Sequence, residues 1–281
     1  MSKIIGIVTS YYPNLDELEY NINTYLPYID HLIVWENTPS NESQIKKLLV
    51  KFNNKIEIRT SGKNEYLAYP FNQSIQYANE NGYSHLLIMD QDSFFIDGDC
   101  AKYIDIIKKN SDKDIAVFSP VRHKNSNITE YIIEVNNTIS SGSVFPVDIF
   151  KALGYFREDF LIYMVDIEFC NRARRNNYKI VSLPGIAINH KEGYAIKSKL
   201  GLTLNLYSAQ STYYIIRNTI LTWKLYPEFY ALSERLNFYR YKIIYRIIKM
   251  IFEPDKFRKI KALYLGVKHG YQRKTGRFDI V

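Results

Sequence analysis

The chain has 281 residues, 46% hydrophobic and 23% charged, the composition of a soluble globular protein able to bury a full core in one large domain or a domain with an appendage. No stretch approaches the roughly 18 unbroken apolar residues that span a bilayer, and the opening MSKIIGIVTSYYP lacks an apolar signal region and cleavage site, so a cytoplasmic protein is expected. The net charge of +8 is uneven: residues 234–281 hold 13 Lys or Arg against 4 acids, while residues 1–233 hold 24 against 25, which argues against a nucleic-acid enzyme with a basic active face.

In chain order, KIIGIVTS (3–10) reads as a buried strand, followed by the loop Tyr11-Tyr12-Pro13-Asn14 and a helix in LDELEYNINTYLPYI. HLIVWENTPS (31–40) repeats the pattern, strand then polar turn from Glu36-Asn37. SQIKKLLVKF (43–52) is predicted helical with Ser43 as cap, IEIRTS (56–61) a strand, and YPFNQSIQYANENG (69–82) a helix closed by Gly82. SHLLIMD, the helix CAKYIDIIKKN and the strand IAVFSP (115–120) follow. Strands alternating with helices predict a parallel, doubly wound α/β sheet whose carboxyl ends form one polar rim, the place where such sheets keep nucleotides. No GxGxxG follows the first strand and no GxxxxGK[ST] occurs, so neither a dinucleotide-binding dehydrogenase nor a P-loop enzyme is favoured. Beyond residue 120, EYIIEV and TISSGSVFP (130–146) read as antiparallel strands, VDIFKALGYF as a short helix, and GIAINH as a strand ending at His190.

Four features carry chemistry. The strand HLLIMD runs into Asp90-Gln91-Asp92-Ser93, which places two carboxylates at the sheet's carboxyl edge; such a pair suits a divalent cation bridged to phosphates, and the same residues also make an ordinary turn. Ser141-Gly142 offers bare backbone for a close approach, or a simple kink. Asp166 and Glu168 open a helix whose later turns hold Arg172, Arg174 and Arg175, an order that also matches the helix dipole. His190 is a metal-ligand type that equally serves as a hydrogen-bonded surface residue. Cys100 and Cys170 form no framework and are expected as thiols, which leaves the sequon Asn127-Ile128-Thr129 incidental.

The order of these parts, DQDS, then SSGS about 50 residues on, then an Asp-x-Glu helix start, then a lone His, resembles that of inverting family 2 glycosyltransferases of GT-A fold over residues 3–225, with bacterial rhamnosyltransferase-like members most similar. The resemblance implies a mostly parallel sheet in an αβα sandwich, a nucleoside-diphosphate sugar donor (dTDP- or UDP-linked) and Mn²⁺ or Mg²⁺ held by Asp92 and His190. It implies Asp166 as general base, with Glu168 orienting the acceptor or exchanging roles with it. It also implies a donor rim of Thr9, Tyr11, Glu36, Asn37, Asn64, Asn72, Asp90, Gln91 and Gly142. Many relatives carry Asp-Asn after the second strand where this chain has Glu36-Asn37. The best donor is then dTDP-rhamnose, ahead of UDP-linked galactose, galactofuranose or N-acetylhexosamine, and the acceptor a lipid-linked glycan. A catalytically silent nucleotide-sugar-binding module and a nucleotidyltransferase are the alternatives. The expected layout is a transferase domain over 1–225, with a nucleotide-binding half to 120 and an acceptor half from 121, then a basic tail over 226–281. In that tail, ERLNFYRYKIIYRIIKMIFEP (234–254) reads as a basic amphipathic helix. Docking on an anionic membrane face, packing on the catalytic domain and forming a homodimer all fit it.

Overall fold

The computed structural model describes residues 2–49, 52, 55–96, 98–124, 131–190, 195–197, 203–205, 207–250, 253 and 255–280. The sequon at 127–129 and the tail position Ile251 lie outside the described residues. Contacts divide the chain into two compact units, Met1–Phe156 with Phe169–Lys191, and Arg157–Glu168 with Glu192–Val281. Within the second unit the helix ending at 225 packs against the last helix of the basic tail.

The first unit begins with β1 (Ile4–Ser10), α1 (Leu15–Asn23), β2 (His31–Glu36), α2 (Lys46–Leu49), β3 (Ile56–Thr60), α3 (Ala68–Glu80) and β4 (His85–Asp90). Every residue of β1 is buried, the signature of a central parallel strand covered on both faces. Asn14 starts α1 by accepting the amides of Asp16 and Glu17, and Gly82 at φ +71° follows α3 where a residue with a side chain would be strained. Within the predicted helix over 43–52 the described residues form the turn α2, and Ser43 Oγ donates to Glu36 while accepting the Ile45 amide.

Next come β5 (Ser93–Phe95), α4 (Asp99–Lys109), β6 (Ile115–Val121), β7 (Ile133–Glu134), β8 (Val144–Pro146), α5 (Ile149–Leu153), α6 (Val165–Arg175) and β9 (Lys179–His190), with α6 running from the second unit into the first. The sheet order is β3-β2-β1-β4-β8-β6-β9-β5, with β7 also on β9. Strands β3, β2, β1 and β4 pair in parallel, as do β6 and β9. The short β8 is antiparallel to both β4 and β6 and separates the two parallel sets, and β5 and β7 run antiparallel to β9. From β1 the chain steps outward to β2 and β3, then returns to β4 on the other side of β1. With right-handed crossovers this reversal puts α3 on the face opposite α1 and α2 and creates a topological switch point between β1 and β4. The core gathers Ile4 and Val8 of β1, Leu87 and Met89 of β4, Leu18 and Ile22 of α1, and Tyr103 and Ile107 of α4. A separate aromatic nest of Phe145, Phe150, Phe156 and Phe169 holds the β8–α5 corner to α6.

The second unit contains β10 (Ala195–Lys197) paired antiparallel with β11 (Thr203–Asn205), then α7 (Ala209–Leu225), α8 (Leu232–Phe238), a π-helical stretch at Tyr239–Ile244, α9 (Tyr245–Met250) and α10 (Lys256–Tyr271). The tail predicted as helical over 234–254 is helical without interruption from Leu232 to Met250, with π geometry over Tyr239–Ile244, and α10 is an element the sequence patterns did not suggest. Its Gly266 and Gly270 lie so close to α7 that an added Cβ would sit 3.0 Å from Ile216 Cβ and 2.8 Å from Ile220 Cβ.

His85, at the start of β4, supplies a test of the sheet. Its Nδ1 lies 2.9 Å from Ser84 Oγ, and burial pushes its pKa down to about 4, with Asp148 opposing and Lys108 reinforcing the shift. The unfolded imidazole, near pH 6.5, takes up a proton more readily than the folded one, so this contribution is complete above that pH and is lost as pH falls toward 4. Between pH 7 and 4.5, wild type should lose about 2–3 kcal/mol more stability than His85→Gln, read from urea unfolding.

Candidate active site

Strand register brings the carboxyl ends of β1 and β4 together, Thr9 opposite Asp90, at the switch point. The chain then turns through Gln91 and Asp92 and re-enters as β5, whose Ser93 pairs with His190 at the end of β9. Two segments almost 100 residues apart thereby place Asp90, Asp92 and His190 side by side, with one ligand atom from each inside a 4.8 Å cluster. His190 Nδ1 is 3.5 Å from Asp92 Oδ1 and 3.8 Å from Asp90 Oδ2. Two carboxylate oxygens and one imidazole nitrogen at such spacing fit the donor set of a divalent ion; the imidazole suits manganese better than magnesium. Asp92, with 38% of its side chain exposed, is the most open of the three.

Behind these groups runs a chain of hydroxyls. The Asp90 amide donates to Ser141 Oγ (3.1 Å), the Ser141 hydroxyl donates to Ser93 Oγ (2.9 Å), and Ser93 Oγ lies 2.7 Å from His190 Nδ1. Ser93 and Ser141 are buried, and the contact from Ser93 to Nδ1 fixes the imidazole's orientation beside the two carboxylates. The neighbouring Asp92, against the opposing effect of burial, holds the His190 pKa above the usual imidazole range. The sequence offers Ser141 only as backbone beside Gly142 and Ser93 only as the end of DQDS; the hydroxyl role of Ser93 depends on a pairing with β9 that no local pattern announces.

Most of the expected rim residues are engaged in bracing the loops. The Gln91 side chain grips the backbone of Tyr11, accepting its amide at 2.7 Å and donating to its carbonyl at 3.3 Å, while Asn21 donates to the Gln91 carbonyl at 2.8 Å. Glu36, expected to meet base or ribose, is 2% exposed; its oxygens accept the Thr38 amide (2.8 Å) and the Ser43 hydroxyl (2.9 Å). Asn37 bridges to the next loop through the Tyr66 carbonyl and the Glu65 amide, and Asn64 Oδ1 accepts the Tyr66 amide. Asn72 pairs with both backbone groups of Phe156. Gly142, at φ +79°, donates its amide to Ile88 and has no room for a Cβ, which would lie 2.7 Å from Pro120 Cγ. Thr9 is buried, and Tyr11, stacked edge-on against Tyr12, is the rim side chain left exposed.

In the second unit, Asp166 and Glu168 occupy the first turn of α6 and differ sharply. Glu168 is buried and accepts the Tyr226 hydroxyl at 2.6 Å, whereas Asp166 is half-buried and its Oδ1 accepts the Ile167 amide at 2.8 Å. The loop before them is unusual: Leu161, Tyr163 and Met164 all have φ near +60°. Such conformations cost about 1–3 kcal/mol each without glycine and persist where the surroundings over-determine them. Here Asn218 of α7 donates to the carbonyls of Phe160, Ile162 and Tyr163, and the buried Arg217 guanidinium donates to the carbonyls of Asp159 and Gly276. Neither residue was singled out from the sequence.

An open α/β sheet with an acid-and-histidine cluster at its switch point is the architecture of a nucleotide-dependent transferase. The solved structure of GalNAc-T7 with UDP, GalNAc and Mn²⁺ shares the fold, with TM-score 0.59 at 11% identity over 86% of this chain and 54% of the other. Among curated proteins, the dTDP-rhamnosyl transferase RfbF of Shigella flexneri is 24% identical over 98% of this chain and 97% of its own length. The low-salt glycan biosynthesis hexosyltransferase Agl10 of Haloferax volcanii is 24% identical over 51% of this chain and 44% of its own length. No family model matches the chain. The protein is a glycosyltransferase of GT-A fold that uses a nucleotide sugar.

Proposed function

We propose that this chain is an inverting, divalent-metal-dependent transferase of the family 2 type that moves L-rhamnose from dTDP-rhamnose to a hydroxyl of a lipid-linked polysaccharide precursor at the inner face of the cell membrane. The observation that carries the metal and diphosphate assignment is the convergence of Asp90, Asp92 and His190 at the switch point. The near end-to-end likeness to a dTDP-rhamnosyl transferase supports the donor. When bound, the metal neutralises charge developing on the departing diphosphate. Asp92 and His190 would hold it, and Asp90 would face the ribose or a water of that ion. Thr9 and the exposed Tyr11 lie along the base and ribose, and Glu36, Asn37, Asn64, Asn72, Gln91 and Gly142 keep the surrounding loops in shape. The acceptor oxygen bonds to the anomeric carbon as the bond to diphosphate breaks, and its proton passes to Asp166, which makes the transfer a single displacement with inversion. Glu168 orients this helix start through Tyr226.

Isothermal titration with dTDP and with UDP, each with and without Mn²⁺, tests the reading. Metal-dependent binding of dTDP, weakened at least about tenfold in Asp92→Ala, is expected. Metal-dependent preference for UDP would move the donor to UDP-linked galactose, galactofuranose or N-acetylhexosamine. Binding that ignores both metal and Asp92 would sink the metal assignment.

A further inference from the structure

Helix α10 has two contrasting faces. Ala262, Leu263, Gly266 and Gly270 are buried, the two glycines giving the close approach to α7, and the buried Lys259 is neutralised by Glu253 at 2.6 Å. On the other side Phe257, Ile260, Tyr264 and Tyr271 recur at spacings of three, four and seven, so they fall on one stripe, and all are exposed, Phe257 at 80%. Exposed Lys256 and Lys268 flank that stripe. In the same unit Leu232 and Leu236 of α8, one turn apart, and then Tyr241, Ile244 and Ile247 are exposed as well, with Arg240 and Lys242 among them. Large apolar side chains set out in rows and edged by cations are not the ordinary scatter of surface hydrophobics.

We infer that these two exposed rows of the second unit form one docking surface for an anionic lipid bilayer, lying in the headgroup plane. Charge selects the occupant. Residues 234–281 carry 13 basic against 4 acidic residues, so a two-fold dimer through this surface would set like charge against like, whereas anionic headgroups neutralise it. Phe257 and Leu236 reach the acyl boundary, tyrosines sit at headgroup level and lysines extend to the phosphates. No described helix is long and apolar enough to cross a membrane, and the inferred attachment is a peripheral one. The inference stands on the second unit's surface and holds whatever the donor or base.

The full chain, centrifuged with vesicles of phosphatidylcholine alone or with about 30% phosphatidylglycerol, is expected to bind the anionic vesicles at least about tenfold better, and to release in about 0.5 M salt. Phe257→Ser/Tyr264→Ser and Leu236→Ser/Ile244→Ser should each cut binding at least about fivefold, and Lys256→Glu/Lys268→Glu should erase the preference for anionic lipid. These side chains are exposed, so circular dichroism and nucleotide titration should stay at wild-type values. Equal binding to neutral vesicles, no binding to either, or binding indifferent to all three variants would overturn the proposal. So would a dimer in analytical ultracentrifugation that the apolar substitutions dissociate while vesicles bind nothing, which would assign the face to a second copy.

Discussion

Asp166→Asn should lower kcat by about 10²–10⁴, equivalent to about 3–5 kcal/mol of transition-state stabilisation, while leaving nucleotide affinity and folding unchanged. The amide keeps the size of the carboxylate and can still accept the Ile167 amide hydrogen that Asp166 Oδ1 accepts at 2.8 Å, so this bond in the first turn of α6 survives. What is lost is the basic lone pair that takes the acceptor's proton. Two readouts separate this from general damage. The KM for donor should hold, because the groups proposed to bind it belong to the first unit, and the acidic limb of the kcat–pH profile should disappear, because the group that titrates there is gone. Glu168→Gln makes the contrast. Its carboxylate is buried against the Tyr226 hydroxyl, so the substitution should cost stability and only modestly reduce kcat. If Glu168→Gln proves silent in stability but inactive, and Asp166→Asn retains more than about a tenth of activity, the two acids must exchange roles.

The parallel half of the sheet was legible because a strand buried on both faces must be apolar throughout: IIGIVTS and LIVW can be little else. The place of Asp90 and Asp92 was legible for a related reason, as acids directly after such a run must lie at the sheet's carboxyl edge, whereas His190 as their neighbour followed only from the family resemblance. Short-range patterns cannot show bonds made at long range. Val144–Pro146 is too brief to show a period, so nothing in it revealed that it would part β4 from β6. Asn72 looks like a ligand residue or a cap until its partner, the backbone of Phe156 84 residues away, is known. Glu36, whose length beyond the usual Asp marked it as a departure, uses that length to reach Ser43. In α10, the two glycines that argue against a helix from propensity are the residues that let it lie against α7.

Asn218→Ala is expected to lower stability by about 3 kcal/mol, since one side-chain amide serves three carbonyls; that of Phe160 keeps the Ile162 amide, while those of Ile162 and Tyr163 lose this donor at about 1–3 kcal/mol each. Those carbonyls belong to Phe160, Ile162 and Tyr163, in the loop where Leu161, Tyr163 and Met164 hold φ near +60°. Without the amide, these residues can relax to ordinary backbone conformations, and because Met164 directly precedes α6, the helix start that presents Asp166 must shift with them. The variant should therefore lose kcat by at least about tenfold at temperatures where it remains folded, with dTDP affinity unchanged. Asn218→Asp should be worse, as it aims a carboxylate at three carbonyl oxygens while keeping the acceptor for Arg217 Nε, 2.8 Å away. Thermal melts and initial rates on the same preparations decide the matter. A lower melting point with kcat intact would make the left-handed loop a matter of folding alone. A parallel fall in kcat that Asn218→Gln partly restores would tie the strained backbone to the placement of the proposed base.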